Sequence, residues 1–224
     1  MQVSPDNIVY WHYGGFLLNA TILSTWMVII LITAGSWLIT RRLSTGVKIS
    51  RWQNFLEIIV SAIQQQLREV TQRDPRKFMS FVGTLFIFVG VSNVLSPVPG
   101  FHSPTGSLST TAALAITVFL AVPIYAVSEV GLLSYLRNYL QPTFFMLPFN
   151  IIGEFTRTLA LAVRLFGNVM SGTMIGAILL MIAPIFFPVL MHLLGLLTGI
   201  VQAYIFAILA AVYIGAGMQV QKKR

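Results

Sequence analysis

The segment Leu159-Ala-Leu-Ala-Val-Arg164-Leu-Phe-Gly-Asn168 leads into 57 residues, from Leu165 to Gln221, that contain no Asp, Glu, Lys or Arg. Uncharged apolar runs of this length predict membrane helices, because about 20 apolar residues cross the hydrocarbon core of a bilayer. Arg164 then lies at bilayer depth, and a guanidinium keeps its proton in proteins. A charge there costs from about 2.5 to about 17 kcal/mol, so it persists where it faces a partner, a cavity or an ion path. Arg164 therefore indicates ion movement.

The composition places the whole chain in the membrane. Of its 224 residues, 56% are hydrophobic and 9% are charged, whereas about a quarter of the residues in a soluble domain are charged. No polar linker divides the chain, so we expect one all-α, polytopic membrane domain over residues 1–224. The chain has no cysteine, which excludes disulfides, thiolate metal sites and cysteine nucleophiles.

Five membrane helices are predicted, at residues 19–40, 78–95, 111–135, 143–183 and 187–220. The last two are long and form a tilted hairpin, because Pro184 and Pro188 interrupt the uncharged run. The net charge is +8, but the basic residues flank apolar spans, which is a topology signal and argues against a nucleic-acid partner. The clusters that set the cytoplasmic side are Arg41-Arg42, Arg137 and Lys222-Lys223-Arg224. They place the segment 1–18 outside and the carboxyl end inside.

Residues 51–73 form a different kind of helix. Apolar side chains recur there at helical spacing, from Trp52 to Val70, and polar side chains occupy the opposite face. We expect an amphipathic helix on the cytoplasmic surface, packed on lipid, on its own bundle or on a neighbouring subunit. Asp74-Pro75 ends it.

Polar residues near Arg164 are candidates for the same pathway. Asn168 lies four residues after Arg164 and shares its helix face. In the last helix, Gln202 lies in an apolar run, with Thr198 four residues before it. A buried glutamine needs partners, so Gln202 either makes an interhelical hydrogen bond that holds the bundle together or orients the guanidinium. Small residues recur every fourth position beside it and predict close helix packing: Gly195, Gly199, Ala203, Ala207, Ala211 and Gly215.

Three other charged residues allow structural interpretations. Glu154 lies three residues before Arg157, which predicts a structural ion pair at the cytoplasmic end, where Arg157 snorkels. Glu129 in the third span is either an ion relay or a paired structural charge. The chain's three histidines are scattered, no catalytic triad or phosphate loop is visible, and no metal or cofactor is expected.

Two motifs carry a resemblance to a known family. Arg164-Leu-Phe-Gly-Asn168, followed about 34 residues later by Gln202-Ala-Tyr-Ile-Phe206, closely resembles the signature of subunit a of F-type rotary ATP synthases. Leu147-Pro-Phe-Asn-Ile-Ile152 and the stretch 103–111 also have recognisable counterparts. The resemblance covers nearly all of the chain after Phe78.

The resemblance implies a non-catalytic stator in the bacterial inner membrane. A ring of small hairpin subunits, each with a membrane carboxylate (the c-ring), turns against this stator. Peripheral-stalk subunit b and the F1 sector, which carries the ATP chemistry, are the other implied partners. Arg164 is implied to separate two aqueous half-channels, with Asn168 and Gln202 as polar partners beside it.

The chain departs from the family pattern where many relatives carry acidic or histidine side chains. Thr173, Gly195 and Ser107 stand at three such positions, and Gly153, with Glu154 beside it, stands at a fourth. Oxygen ligands of the kind that sodium prefers remain at Asn168, Ser171 and Thr173. These losses are similar to the sodium-associated N-type branch, so the transported ion is either a proton or sodium.

Two other function classes compete. A secondary transporter that binds an anion at a midplane arginine is expected to show interrupted helices in matching halves, and the sequence shows none. A membrane enzyme needs a base, a nucleophile or a metal set, and none stands out.

Overall fold

The computed structural model describes residues 9–13, 16–41, 51–72, 74–98, 100–139, 145–182 and 186–219. The strands and helices of these ranges are β1 (Val9–Tyr13), β2 (Phe16–Asn19), α1 (Ala20–Thr40), α2 (Arg51–Thr71), α3 (Arg76–Val94), α4 (Leu108–Val130), α5 (Leu132–Tyr139), α6 (Met146–Ile182) and α7 (Phe186–Gln219). Arg42, Pro184 and Lys222-Lys223-Arg224, on which the predicted orientation and the last turn partly depend, lie outside the described residues.

Five of the described helices are long and apolar enough to cross a membrane, namely α1, α3, α4, α6 and α7. The prediction of an all-α, polytopic fold is therefore confirmed. The short antiparallel pair β1–β2 before α1 was not predicted from the sequence. Aromatic and β-branched residues are frequent in this segment and favour strands.

The third span differs most from the prediction. It was expected over residues 111–135, but α4 begins at Leu108, where the Ser107 side chain accepts a hydrogen bond from the backbone N–H of Thr110 at 3.4 Å. The helix ends at Val130 because Gly131 adopts a φ of 85°, a left-handed conformation that glycine takes without strain. The chain then continues into the separate helix α5.

The amphipathic helix α2 packs on its own bundle. Leu67 is buried in a cluster with Phe78 and Ile214, and the Tyr204 hydroxyl donates to Gln66 Oε1 at 2.8 Å. Ile58 and Val60 remain exposed on the other side. Of the three expected partners for this helix, namely lipid, its own bundle and a neighbouring subunit, the structure shows contacts with its own bundle.

Helix α7 lies at the centre of the bundle and contacts α2, α3, α4 and α6. Its small-residue stripe makes this possible, since every member except the exposed Gly195 is buried. At Gly199, an added Cβ would lie 2.8 Å from Asn93 Cβ. Asn93 Nδ2 donates to the Gly199 carbonyl oxygen at 2.9 Å. The α3 side chain thus reaches the α7 backbone because residue 199 has no side chain.

The substitution Gly199→Ala tests this close approach. The added methyl overlaps Asn93, and overpacking of this kind costs about 1–3 kcal/mol, so thermal unfolding in detergent should occur at a lower temperature. Gly195→Ala is the matched control on the same helix, because a Cβ there meets no atom within 4 Å. Equal unfolding temperatures for the two variants would show that the contact does not constrain α7.

Candidate functional site

Arg164 lies on the exposed face of α6. Its neighbours Leu161, Ala162 and Leu165 are buried against the bundle, whereas Val163 is 52% exposed. Within the part of the chain that the structure describes, no carboxylate is within ion-pairing distance of Arg164. The permanent charge therefore stands on an apolar outer surface with no ion-pair partner among the described residues.

Two contacts set the register between α6 and α7. Asn168 Nδ2 donates a long hydrogen bond, 3.4 Å, to the Thr198 carbonyl oxygen, and the Arg157 guanidinium lies 5.8 Å from the centroid of the Tyr213 ring. The second contact is earlier on α6 and later on α7, so the helices are antiparallel. Arg164 is four residues before Asn168, and Gln202 is four residues after Thr198. Arg164 and Gln202 are each about one helical turn from this hydrogen bond, in the same direction, so they lie at the same height along the helix axes.

Gln202 is 6% exposed. Its Nε2 has no hydrogen-bond partner among the described residues. A buried donor left unsatisfied costs about 1–3 kcal/mol. The amide is thus a polar group buried at the level of Arg164 with unused donor capacity.

A cavity of about 420 Å³ lies between α6, the amino-terminal half of α7 and the end of α3; we call it the Asn168 cavity. Its polar lining comprises Asn93, Ser96, Asn168, Ser171, Thr173, Thr198 and His192. Four of the predicted ion-translocation residues, Asn168, Ser171, Thr173 and Thr198, are thus brought together around one space.

Three of the four hydroxyl groups of this cavity donate to their own helices. Ser171 Oγ donates to the Asn168 carbonyl oxygen at 3.1 Å, and Thr173 Oγ1 to that of Met170 at 2.8 Å. Thr198 Oγ1 donates to the Leu194 carbonyl oxygen at 3.0 Å. Because these three hydroxyl protons are engaged, their oxygens keep lone pairs free to accept. Such a lining favours cations and water molecules.

A second cavity, of about 280 Å³, lies at the opposite end of α6, between α4, the start of α6 and the end of α7; we call it the Glu154 cavity. Its polar lining comprises Tyr135, Asn150, Glu154, Arg157, Thr158 and Tyr213.

The predicted ion pair between Glu154 and Arg157 is not among the ion pairs of the described residues. Arg157 instead lies over the Tyr213 ring, whose face attracts a cation. Glu154 has other interactions. Both side chains nevertheless line the Glu154 cavity, so each remains part of the site.

Arg164 lines neither cavity. It lies six residues after Thr158 and four residues before Asn168, which at about 1.5 Å per residue is about 9 Å from one cavity and about 6 Å from the other along the helix axis. The charge thus stands between two polar spaces at opposite ends of one helix.

Glu129 is not part of this arrangement. Its carboxylate pairs with Lys77 Nζ, joining the end of α4 to the start of α3, and it lines neither cavity. The pair with Lys77 is consistent with a paired structural charge, and both interpretations of Glu129 remain predictions. The Lys77 side chain is 68% exposed, so the pair stabilises the fold little.

A buried polar network beside the Asn168 cavity was missed. Thr105 Oγ1 donates to Asn93 Oδ1 at 2.7 Å, and the Ser103 and Thr105 hydroxyls share a hydrogen bond of 2.7 Å. Ser103 Oγ also donates to the Ser92 carbonyl oxygen at 3.1 Å. With the Asn93–Gly199 bond, this network ties the loop between α3 and α4 to α7. The only signal in the sequence was that 103–111 matched the family, without a role for any of its residues.

Comparison with known proteins agrees with this architecture. The family model described as ATP synthase A chain matches residues 22–215. ATP synthase subunit a 1 of Chlorobaculum parvum is 58% identical over 223 residues, covering 100% of this chain and 99% of its own length. The protein of the same name from Prosthecochloris aestuarii is 59% identical over 216 residues, covering 96% and 97%. ATP synthase subunit a of Albidiferax ferrireducens is 58% identical over 224 residues, covering 100% and 97%. The chain, a multi-pass membrane protein by its helices, belongs to the ATP synthase subunit a family.

Proposed function

We propose that this chain is the ion-translocating stator subunit of the F0 sector, and that it couples a flow of protons or sodium ions to rotation of the c-ring. The observation that carries the proposal is the position of Arg164, unpaired on the outer face of α6 and between two polar cavities. Family membership supports the stator role.

The two cavities are the proposed half-channels. The carboxyl-terminal end of α7 lines the Glu154 cavity, and the chain continues from there to the basic residues Lys222-Lys223-Arg224. Basic termini favour the cytoplasmic side, so the Glu154 cavity is the cytoplasmic half-channel and the Asn168 cavity the outer one. The membrane is then the bacterial cell membrane, with the amino end outside.

The exposed face of α6 is the proposed rotor surface. Three residues after Arg164, Gly167 lines neither cavity, and an added Cβ there would meet no atom within 4 Å. Open small residues let another helix approach closely. A ring subunit that packs there brings its carboxylate to the level of Arg164, Asn168 and Gln202.

The electrostatics of this arrangement produce coupling. A fixed cation in a low-dielectric surface favours the ionised form of the approaching carboxylate, and it repels a cation that moves directly from one cavity to the other. Ions therefore cross only on the ring. Each charge that crosses releases about 2.3 kcal/mol per 100 mV, which biases the direction of rotation. Nucleotide chemistry belongs to the F1 sector, and subunit b holds the stator in place.

An anion transporter with Arg164 as its binding residue fits less well. Such a site is expected inside the bundle, at the interface of two structural repeats. Arg164 instead is exposed and lines neither cavity.

The variant Arg164→Ala tests the proposal. Without the fixed charge, ATP-driven ion transport in reconstituted vesicles should fall to background while the complex still assembles, because the side chain is exposed and makes no described ion pair. Arg164→Lys should also fail, because an ammonium lacks the planar fork. Arg76→Ala is the control, an exposed arginine outside both cavities. Coupled transport near the wild-type rate in Arg164→Ala would overturn the assignment.

The acceptor lining of the Asn168 cavity predicts that sodium stimulates ATP-driven transport at fixed pH. Thr173→Val removes one acceptor oxygen and should raise the half-saturating sodium concentration about fivefold, as for the loss of about 1 kcal/mol. Thr156→Val is the matched control, because its hydroxyl also donates within α6, to the Ile152 carbonyl oxygen, but it lines neither cavity. Transport that is independent of sodium would reject sodium and leave the proton as the coupling ion.

A further inference from the structure

His192 is the one ionisable side chain among the described residues that line the Asn168 cavity. The walls contributed by α6, by α7 and by the end of α3 contain no Asp, Glu, Lys, Arg or Tyr in the described part of the chain. Every other polar group there is a hydroxyl or an amide. The protonation of His192 therefore decides whether this cavity carries a side-chain charge.

The imidazole occupies the outer end of the cavity. His192 is exposed and lies ten residues before Gln202, a rise of about 15 Å along α7. Half of the hydrocarbon thickness is also about 15 Å. In the proposed orientation, with Gln202 and Arg164 at mid-depth, this rise places His192 at the outer membrane boundary.

No side chain of α7 blocks the space between His192 and the inner end of the cavity at Gly195. Gly195 follows His192 by three residues on the same helix face, and an added Cβ there would meet no atom within 4 Å. The next turn carries Thr198, whose carbonyl oxygen is bonded to Asn168. A charge on the imidazole thus acts across open cavity space on a cation near Asn168 and Thr198.

We propose that His192 is a proton-binding site at the outer end of the Asn168 cavity, and that the bound proton slows the passage of the transported cation. The proposal rests on the proposed function, because it requires that cations use this cavity. Histidine is the side chain whose charge changes between about pH 5 and pH 8. When His192 is neutral, the cavity offers only acceptors and neutral donors. When His192 is charged, a cation stands at the end of the cavity opposite Arg164.

The size of the effect follows from Coulomb's law. Thr198 lies six residues after His192, about 9 Å along the helix axis. At about 9–12 Å and an effective dielectric constant of about 20, a unit charge disfavours a monovalent cation by a factor on the order of ten. No described carboxylate lines the cavity to offset it. Protonation of His192 should therefore slow turnover relative to a variant without the imidazole, whichever cation is carried.

The test uses the whole ATP synthase complex in vesicles whose lumen faces the Asn168 cavity. ATP synthesis is driven by a constant potassium diffusion potential, with the outer pH fixed and the lumenal pH set between 5 and 8. The quantity measured is the rate of the wild type divided by that of His192→Gln at each pH, because this ratio cancels the pH dependence of the other steps. We expect a ratio near one at pH 8 and about one tenth at pH 5. His192→Lys should be about tenfold slow at pH 8, and His102→Gln should keep the wild-type pH profile, since His102 does not line the cavity.

Three results would overturn the inference: a ratio that does not change with lumenal pH, a His192→Lys complex as fast as the wild type at pH 8, or a His192→Gln complex that assembles but makes no ATP. Arg164→Ala in the same vesicles separates this failure from that of the proposed function. A flat ratio with an inactive Arg164→Ala complex removes only the role of His192, whereas ATP synthesis by Arg164→Ala removes the stator assignment itself.

Discussion

A bilayer core offers no water to backbone N–H and C=O groups, so a spanning segment has to satisfy them internally as a helix. The same constraint acts on the hydroxyl groups of this chain. Many serine and threonine residues of the described helices donate to carbonyl oxygens three or four residues earlier, as Ser24 does to Ala20 and Thr84 to Ser80. In a cavity wall this leaves the oxygens as acceptors. The chemistry of the Asn168 cavity is thus a consequence of how a helix accommodates hydroxyl groups in hydrocarbon.

The number and type of membrane helices could be predicted from the sequence, because charge-free runs between basic clusters report directly on the bilayer. The small-residue stripe on α7 was equally informative, since its spacing of four is a property of one helix. The end of α4 was predicted less well. In the sequence, Gly131 is one glycine within an apolar stretch, and nothing near it indicates the positive φ that it adopts in the structure. The packing of α2 depends on contacts such as that of Gln66 with Tyr204, which are 138 residues apart.

The candidate site divides in the same way. Arg164 was identifiable from the cost of its charge, and the hydroxyl and amide residues of the Asn168 cavity from their spacing on two helices. The partners of the charged residues could not be identified from the sequence. The sequence could not reveal that Glu129 pairs with Lys77, because the two residues are 52 positions apart. Arg157 had a carboxylate three residues away and was assigned to it, but Tyr213 on another helix competes for the guanidinium. A local pairing rule cannot include a partner that only the tertiary fold brings near.

The two cavities differ in charge, and the difference bears on the proposed role of Arg164. The Glu154 cavity is lined by both a carboxylate and a guanidinium, so fixed charges of both signs act on an ion inside it. The described walls of the Asn168 cavity carry no Asp, Glu, Lys or Arg. A cation there experiences chiefly Arg164, about 6 Å along the helix from Asn168, with no described carboxylate to neutralise it. Because the Coulomb energy in a low-dielectric site falls only as the inverse of distance, a neutral lining lets one guanidinium set the barrier at the inner end. The absence of described acidic residues from the Asn168 cavity thus strengthens the separation between the two proposed half-channels. The acceptor oxygens still bind cations in the cavity up to that barrier.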